Sequence, residues 1–169
     1  MTLMKNNEFF EEHKRIAHDW ALDLIRHDQL LERIENSFGE ESVEVKTWLK
    51  ENPAPERPYP AGFEAAYDAW EGSITRKEAE FDLADSLWDY EVQGFVDALR
   101  LAGISHFVYT YRCRNGHSLE NMRMFKNMRM FLEAGCTPEG LCSVRRLPYG
   151  CGRRTDGEYE HVRGVRFFV

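Results

Sequence analysis

The chain changes its hydrophobic period at Gly103, and that switch limits the folds open to it. Upstream, apolar residues recur at three- and four-residue steps, as on helices with one buried face. Downstream, His106-Phe107-Val108-Tyr109-Thr110-Tyr111-Arg112 is rich in β-branched and aromatic residues. Phe107, Tyr109 and Tyr111 alternate onto one face, as on a strand. A helical front followed by a sheet-containing back is an α+β arrangement.

In the front, Phe9, His13, Ile16, Ala17, Trp20, Leu24, Leu31, Ile34 and Phe38 form one stripe that Gly39 closes. Asp28 is able to cap a second segment, so one long helix and two shorter ones both remain open. A short helix begins at Ser42, buries Val45, Trp48 and Leu49, and ends before Asn52-Pro53, because a residue preceding proline disfavours the helical region. Residues 53–60 hold four of the six prolines and are expected to run extended as a stiff connector. Phe63, Ala66, Tyr67 and Trp70 mark a further helix closed near Gly72. Thr75-Arg76-Lys77-Glu78 then reads as a capping box that opens a long helix. Its expected buried stripe is Phe81, Ala84, Trp88, Val92, Phe95 and Leu99, with Trp88 and Phe95 facing the sheet.

Beyond the first strand, Asn115-Gly116 turns the chain and Ser118 caps a helix with Leu119, Met122, Phe125, Met128, Phe131 and Leu132 along it to Gly135. Asn121-Met122-Arg123-Met124-Phe125 repeats as Asn127-Met128-Arg129-Met130-Phe131. A six-residue step advances a helix by about 600°, so the two copies face directions about 120° apart. Strands at 141–146 and 161–169, joined by a Gly-rich loop, form an antiparallel hairpin. The expected fold is therefore α+β: an N-terminal part of four or five helices, then a β-α-β-β unit whose small, partly antiparallel sheet packs on helices. We expect one domain over 1–169, with a helical part at 1–52, a connector at 53–61, a helical pair at 62–102 and the β-α-β-β part at 103–169.

The net charge of −7 conceals a polarity. Residues 1–100 carry 23 acidic against 11 basic side chains, and residues 101–169 carry 6 against 11. No stretch reaches the eighteen or so uninterrupted apolar residues of a spanning helix, and the opening residues lack the apolar centre of a secretion signal, so the expectation is a cytoplasmic protein without a membrane partner. In that compartment Cys113, Cys136, Cys142 and Cys151 are expected to be free thiols.

Ala102-Gly103-Ile104-Ser105-His106-Phe107-Val108-Tyr109-Thr110, Ser118-Leu119-Glu120-Asn121-Met122, Phe131-Leu132-Glu133-Ala134-Gly135-Cys136, Gly140-Leu141 and Val162-Arg163-Gly164-Val165-Arg166-Phe167 together resemble the C-terminal region of uncharacterised short accessory proteins of bacterial conjugative elements and phages. The resemblance spans about 70 residues and implies a mobile-element context, with one copy of the Asn-x-x-x-Phe unit in the related pattern and a tandem duplication here. It implies no activity, cofactor or catalytic residue.

The chain lacks a Walker pattern, a Gly-x-Gly-x-x-Gly turn between strand and helix, a Gly-x-Ser-x-Gly elbow and a His-Glu-x-x-His pair. Cys113 and His117, with Cys136 and Cys142, are candidates for zinc, but they lack the Cys-x-x-Cys knuckle of structural sites, and no cofactor is expected. Two charged surfaces remain. Glu64, Asp68, Glu71, Glu78, Asp82, Asp85 and Asp89 recur at helical spacing and set carboxylates in a row that a protein reading phosphates would accept. Arg112, Arg114, Arg145, Arg146, Arg153 and Arg154 favour bidentate contact with phosphate. The leading expectation is a non-enzymatic interaction protein with a protein partner, a mobile-element accessory factor that inhibits a host nucleic-acid-targeting defence system through its acidic helical face. The alternative is a nucleic-acid-binding regulator using the arginine-rich face, and the third reading is a small zinc protein or cysteine enzyme.

Overall fold

The computed structural model describes residues 2–76, 82–83, 87–110, 118–146 and 160–169, and the protein is an α+β fold with a helical N-terminal part. In chain order the elements are α1 (Thr2–Phe38), α2 (Val43–Glu51), α3 (Phe63–Arg76), β1 (Asp82–Leu83), a 3₁₀ turn (Asp89–Glu91), α4 (Val92–Leu101), β2 (His106–Tyr109), α5 (Ser118–Glu133), β3 (Thr137–Arg146) and β4 (Glu160–Phe168). The sheet order is β1-β2-β4-β3, with β1 parallel to β2 and the other neighbours antiparallel. Among the described residues no helix is long and apolar enough to cross a membrane.

The chain divides into two compact units, one made of Met1–Phe10 with Pro60–Val169 and the other of Glu11–Tyr59. In the smaller unit the Ser42 hydroxyl accepts the Val45 N–H at 3.2 Å and starts α2, which stops at Asn52 as its neighbour Pro53 requires. The proline-rich segment is tied to α1: the Trp20 indole N–H donates to the Pro55 carbonyl at 3.1 Å, and the Arg57 guanidinium lies 5.7 Å from the same ring. Helix α1 runs without a break, so Asp28 lies inside one helix rather than capping a second, and Phe38 at its end is exposed.

In the larger unit, Phe95 of α4, Phe107 of β2, Phe131 of α5 and Phe167 of β4 are almost wholly buried. Their rings meet at 4.9 Å for Phe107–Phe131 and at 5.3 Å for Phe107–Phe167, Phe131–Phe167 and Phe95–Phe107. One aromatic from each of four elements thus forms the core between helices and sheet. The helix stops read from Gly103 and Gly135 are real and built alike. Each glycine adopts a positive φ, of 70° and 86°, and sends its N–H back to Arg100 or Leu132. The next residue, Ile104 or Cys136, bonds back to Leu99 or Phe131. This six-to-one closure satisfies the last carbonyls and seats an apolar residue against the helix.

The long helix expected from Thr75 to Gly103 is absent. Thr75 and Arg76 end α3, which passes through Gly72, and α4 starts only at Val92. Between them Asp82 and Leu83 pair with Val108 and Tyr109, adding a parallel strand to the edge of β2. An unpaired strand edge offers backbone partners that a local pattern cannot reveal, and helical propensity is too weak to outbid it. The 3₁₀ turn that leads into α4 is closed by Glu91, whose carboxylate accepts the Trp88 N–H at 2.8 Å. Trp88 is consequently 56% exposed, against the expectation that it packs on the sheet, while Leu87 is buried in its place. The lower half of the expected stripe, Val92, Phe95 and Leu99, is buried as read. Phe81 and Ala84 lie outside the described residues.

Gly94 allows α4 to meet the start of α3 backbone to backbone: a Cβ there would lie 1.9 Å from the Ala61 carbonyl oxygen. The repeat in α5 resolves in the same geometric terms. The second copy supplies buried Asn127 and Phe131, while Phe125, six residues earlier, is 64% exposed, as the 120° rotation requires. Phe125 and Leu132, expected on the buried face, therefore lie on the outer one. Phe131→Ala should cost about 3–5 kcal/mol of unfolding free energy and Phe125→Ala less than about 0.5, read as paired urea titrations. Equal losses would mean that the wrong copy of the repeat has been placed in the core.

Candidate functional site

Three of the seven acidic candidates share one surface. Helix α3 buries Ala66, Ala69, Trp70 and Ser73 and turns Glu64, Asp68 and Glu71 outward at successive turns. The Tyr67 hydroxyl donates to the Glu71 carboxylate at 3.1 Å. Partial burial, and then the negative charges of Glu64 and Glu71, hold the Asp68 carboxyl above its ordinary range. The row is a local excess of negative potential.

Asp82 and Asp89 do not extend it. Asp89 lies in the 3₁₀ turn and forms an ion pair with Lys126 of α5. Asp82 belongs to β1, and Glu78 and Asp85 fall outside the described residues. The continuous acidic helix face disappears with the helix that was to carry it.

The basic candidates divide similarly. Arg145 and Arg146 are on β3, in register with His161 and Glu160 of β4, and Ser143 stands opposite Arg163. Arg112, Arg114, Arg153 and Arg154 lie outside the described residues. Within β4, β2 pairs with Val165–Phe168, and beyond them residues 142–146 and 160–164 pair with each other, with Gly164 still close against Val108, Tyr109 and Thr110.

Cys136 is buried at the end of α5, where desolvation pushes its thiol pKa up against the opposing pull of Arg100. The Cys142 thiol on β3 points to the Gly164 carbonyl at 3.7 Å. Both are free thiols, and among the described residues no three His, Cys, Asp or Glu side chains are grouped to hold a metal ion. Cys113 and His117 lie outside the described residues.

Two polar arrangements escaped the sequence reading. Asn127 is fully buried, donating to the Leu87 carbonyl at 2.8 Å and to the Tyr109 hydroxyl oxygen at 3.3 Å, while its own amide oxygen has no hydrogen-bond partner among the described residues. It anchors the segment entering α4 onto α5. At the opposite end of β2, the Ser105 hydroxyl lies 2.8 Å from His106 Nδ1, and His106 Nε2 lies 3.2 Å from the Glu139 carboxylate. The order resembles an acyl-transfer relay. Yet His106 and Glu139 are 41% and 40% exposed, and such a relay works where water is excluded and paired donors await an oxyanion. Its evident work is structural. The register slips between Pro138 and Gly140, and Glu139 at that bulge reaches across β4 to tie β3 to β2. Gly140 inside a strand pattern was the available signal.

The family model of a domain of unknown function, DUF7698, matches residues 65–169, and the chain belongs to that family. The match takes in most of α3, the whole sheet and α5. No curated protein and no solved structure matches the chain.

A raised carboxyl pKa costs stability once the group ionises. The native state then binds the proton more tightly than the unfolded chain, so stability falls as pH rises from the ordinary aspartate range through the raised native value. Asp68→Asn should therefore melt higher than the parent at pH 7, with the difference fading by about pH 3. An Asp68→Asn melting temperature at or below the parent's at pH 7 would contradict the raised Asp68 carboxyl.

Proposed function

We propose that this protein acts by binding rather than by catalysis, as an accessory factor of a mobile element that docks a protein partner on its acidic α3 face. The supporting observation is the row Glu64, Asp68 and Glu71, exposed at successive turns of α3, where partial burial and then the two neighbouring carboxylates raise the Asp68 pKa. A row of exposed carboxylates is complementary in charge to a cationic surface. The resemblance of the C-terminal region to accessory proteins of conjugative elements and phages makes a host nucleic-acid-targeting protein the concrete partner. Its phosphate-reading surface is cationic, and spaced carboxylates occupy it as phosphates would.

The test is a pull-down from host lysate with the parent chain and with Glu64→Lys, Asp68→Lys and Glu71→Lys combined. The variant should fold as the parent does, because exposed carboxylates contribute little to stability. The parent should retain a nuclease or restriction subunit that the variant loses at least tenfold. Equal recovery by both chains would remove α3 from the interaction.

A further inference from the structure

We infer that the outward side of α1 is a self-complementary surface on which a second copy of this chain docks antiparallel, an interaction that goes beyond the docking of a protein on α3 and stands without it. Within the unit Glu11–Tyr59 one side of α1 is covered by the chain itself. The His13 ring lies 4.3 Å from that of Tyr59, and the Trp20 indole donates to the Pro55 carbonyl. The His27 ring lies 5.0 Å from that of Trp48, and its Nε2 lies 3.0 Å from the Asn52 carbonyl oxygen. His13, Trp20 and His27 follow one another at seven-residue steps, so α2 and the proline-rich segment share one seam of the helix.

The opposite side carries a second stripe, Arg15, His18, Leu22, Ile25, Gln29 and Glu32, spaced alternately three and four apart. All six side chains are exposed, Leu22 at 40% and Ile25 at 51%. Neither aliphatic residue belongs to the apolar stripe read from the sequence. At about 100° per residue, their midpoint lies about 150° around the helix from that of Trp20 and Leu24. Two exposed aliphatic side chains are ordinary on a protein surface, and the residues around them decide what they meet.

The stripe is symmetric about the point midway between Leu22 and Ile25, with opposite charges at its two ends. Turning the helix end for end about that point sets Leu22 on Ile25 of the second copy, His18 on Gln29 and Arg15 on Glu32. Each contact then occurs twice, as a closed twofold interface requires. The flanking positions obey the same rule, for the antiparallel pair brings Asp19 beside Arg26 and Glu12 beside Arg33. A parallel pair would set Arg15 on Arg15 and Glu32 on Glu32, and facing like charges oppose docking. A stripe adapted to a different partner has no need of this twofold match. Arg15 already meets Glu12 at 2.6 Å, and Arg26 meets Asp23 at 3.1 Å, within α1. Those pairs are exposed and contribute little, and a guanidinium with its several N–H donors bonds a second carboxylate without releasing the first. From Arg15 to Glu32 the stripe runs about 26 Å with aliphatic layers only at its centre, which suits a reversible dimer at the small end of the interface range.

The experiment is sedimentation equilibrium of the full chain from about 5 to 500 μM at about 50 mM salt, where surface charges are weakly screened. The parent should show a monomer–dimer equilibrium. Leu22→Glu with Ile25→Glu should weaken dimerisation roughly tenfold or more, and so should Arg15→Glu, which sets a carboxylate against Glu32 of the second copy. Adding Glu32→Arg to Arg15→Glu restores opposite charges and should return the parent's dimerisation constant. Every variant should keep the parent's helical circular dichroism, because the altered side chains are all exposed. A parent that stays monomeric over the whole range, with the stripe left to some other partner, overturns the inference. So does a dimer unaffected by Leu22→Glu with Ile25→Glu, or an Arg15→Glu defect that Glu32→Arg does not repair.

Discussion

The interleaving of Phe95, Phe107, Phe131 and Phe167 is the interaction on which the larger unit depends. Each ring comes from a different element, so α4, β2, α5 and β4 cannot separate without exposing an aromatic face to water. Everything else in that unit is placed from this cluster. The close backbone approach at Gly94 sets α3 against α4, and with it the outward direction of Glu64, Asp68 and Glu71. Strand β4, held by Phe167, carries β3 at its other edge and extends past the last residue of β2. The α3 row thus depends on one apolar core in which no buried side chain among the described residues is an acid, lysine or arginine.

The parts legible in the sequence were those where local chemistry and tertiary need agree. Gly103 and Gly135 end their helices because the six-to-one closure needs a positive φ, and the change of period after Gly103 survives as β2. The hairpin was legible from 141 onward, but its first residues were hidden behind Pro138 and Gly140, which read as breakers and in fact mark a bulge. The duplicated segment announced a rotation of about 120°, and burial of Phe131 beside exposed Phe125 bears that out. Which copy would face inward was not legible, because both copies carry the same side chains.

The segment before α4 was misread for a physical reason. A helical period through Phe81, Trp88 and Phe95 is genuine in the sequence, but β2 has an edge that only a strand satisfies, and that edge is contributed by residues 106–109. The same error produced the single acidic face. Once Asp82 enters a strand and Asp89 pairs with Lys126, thirty-seven residues away, the single row is broken, and among the described residues the α3 carboxylates keep the spacing read for them. The Ser105–His106–Glu139 link and the buried Asn127 were invisible because each depends on partners brought together by the sheet or by α5.

If the protein works by presenting the acidic α3 face, the place of contact decides the matter. The most direct measurement is amide chemical-shift mapping of the labelled chain during titration with a short oligolysine peptide at low salt. Shifts are predicted at residues 64–71 of α3, lost as salt is raised and absent in the Glu64→Lys, Asp68→Lys, Glu71→Lys chain. Shifts elsewhere with residues 64–71 unmoved would contradict it.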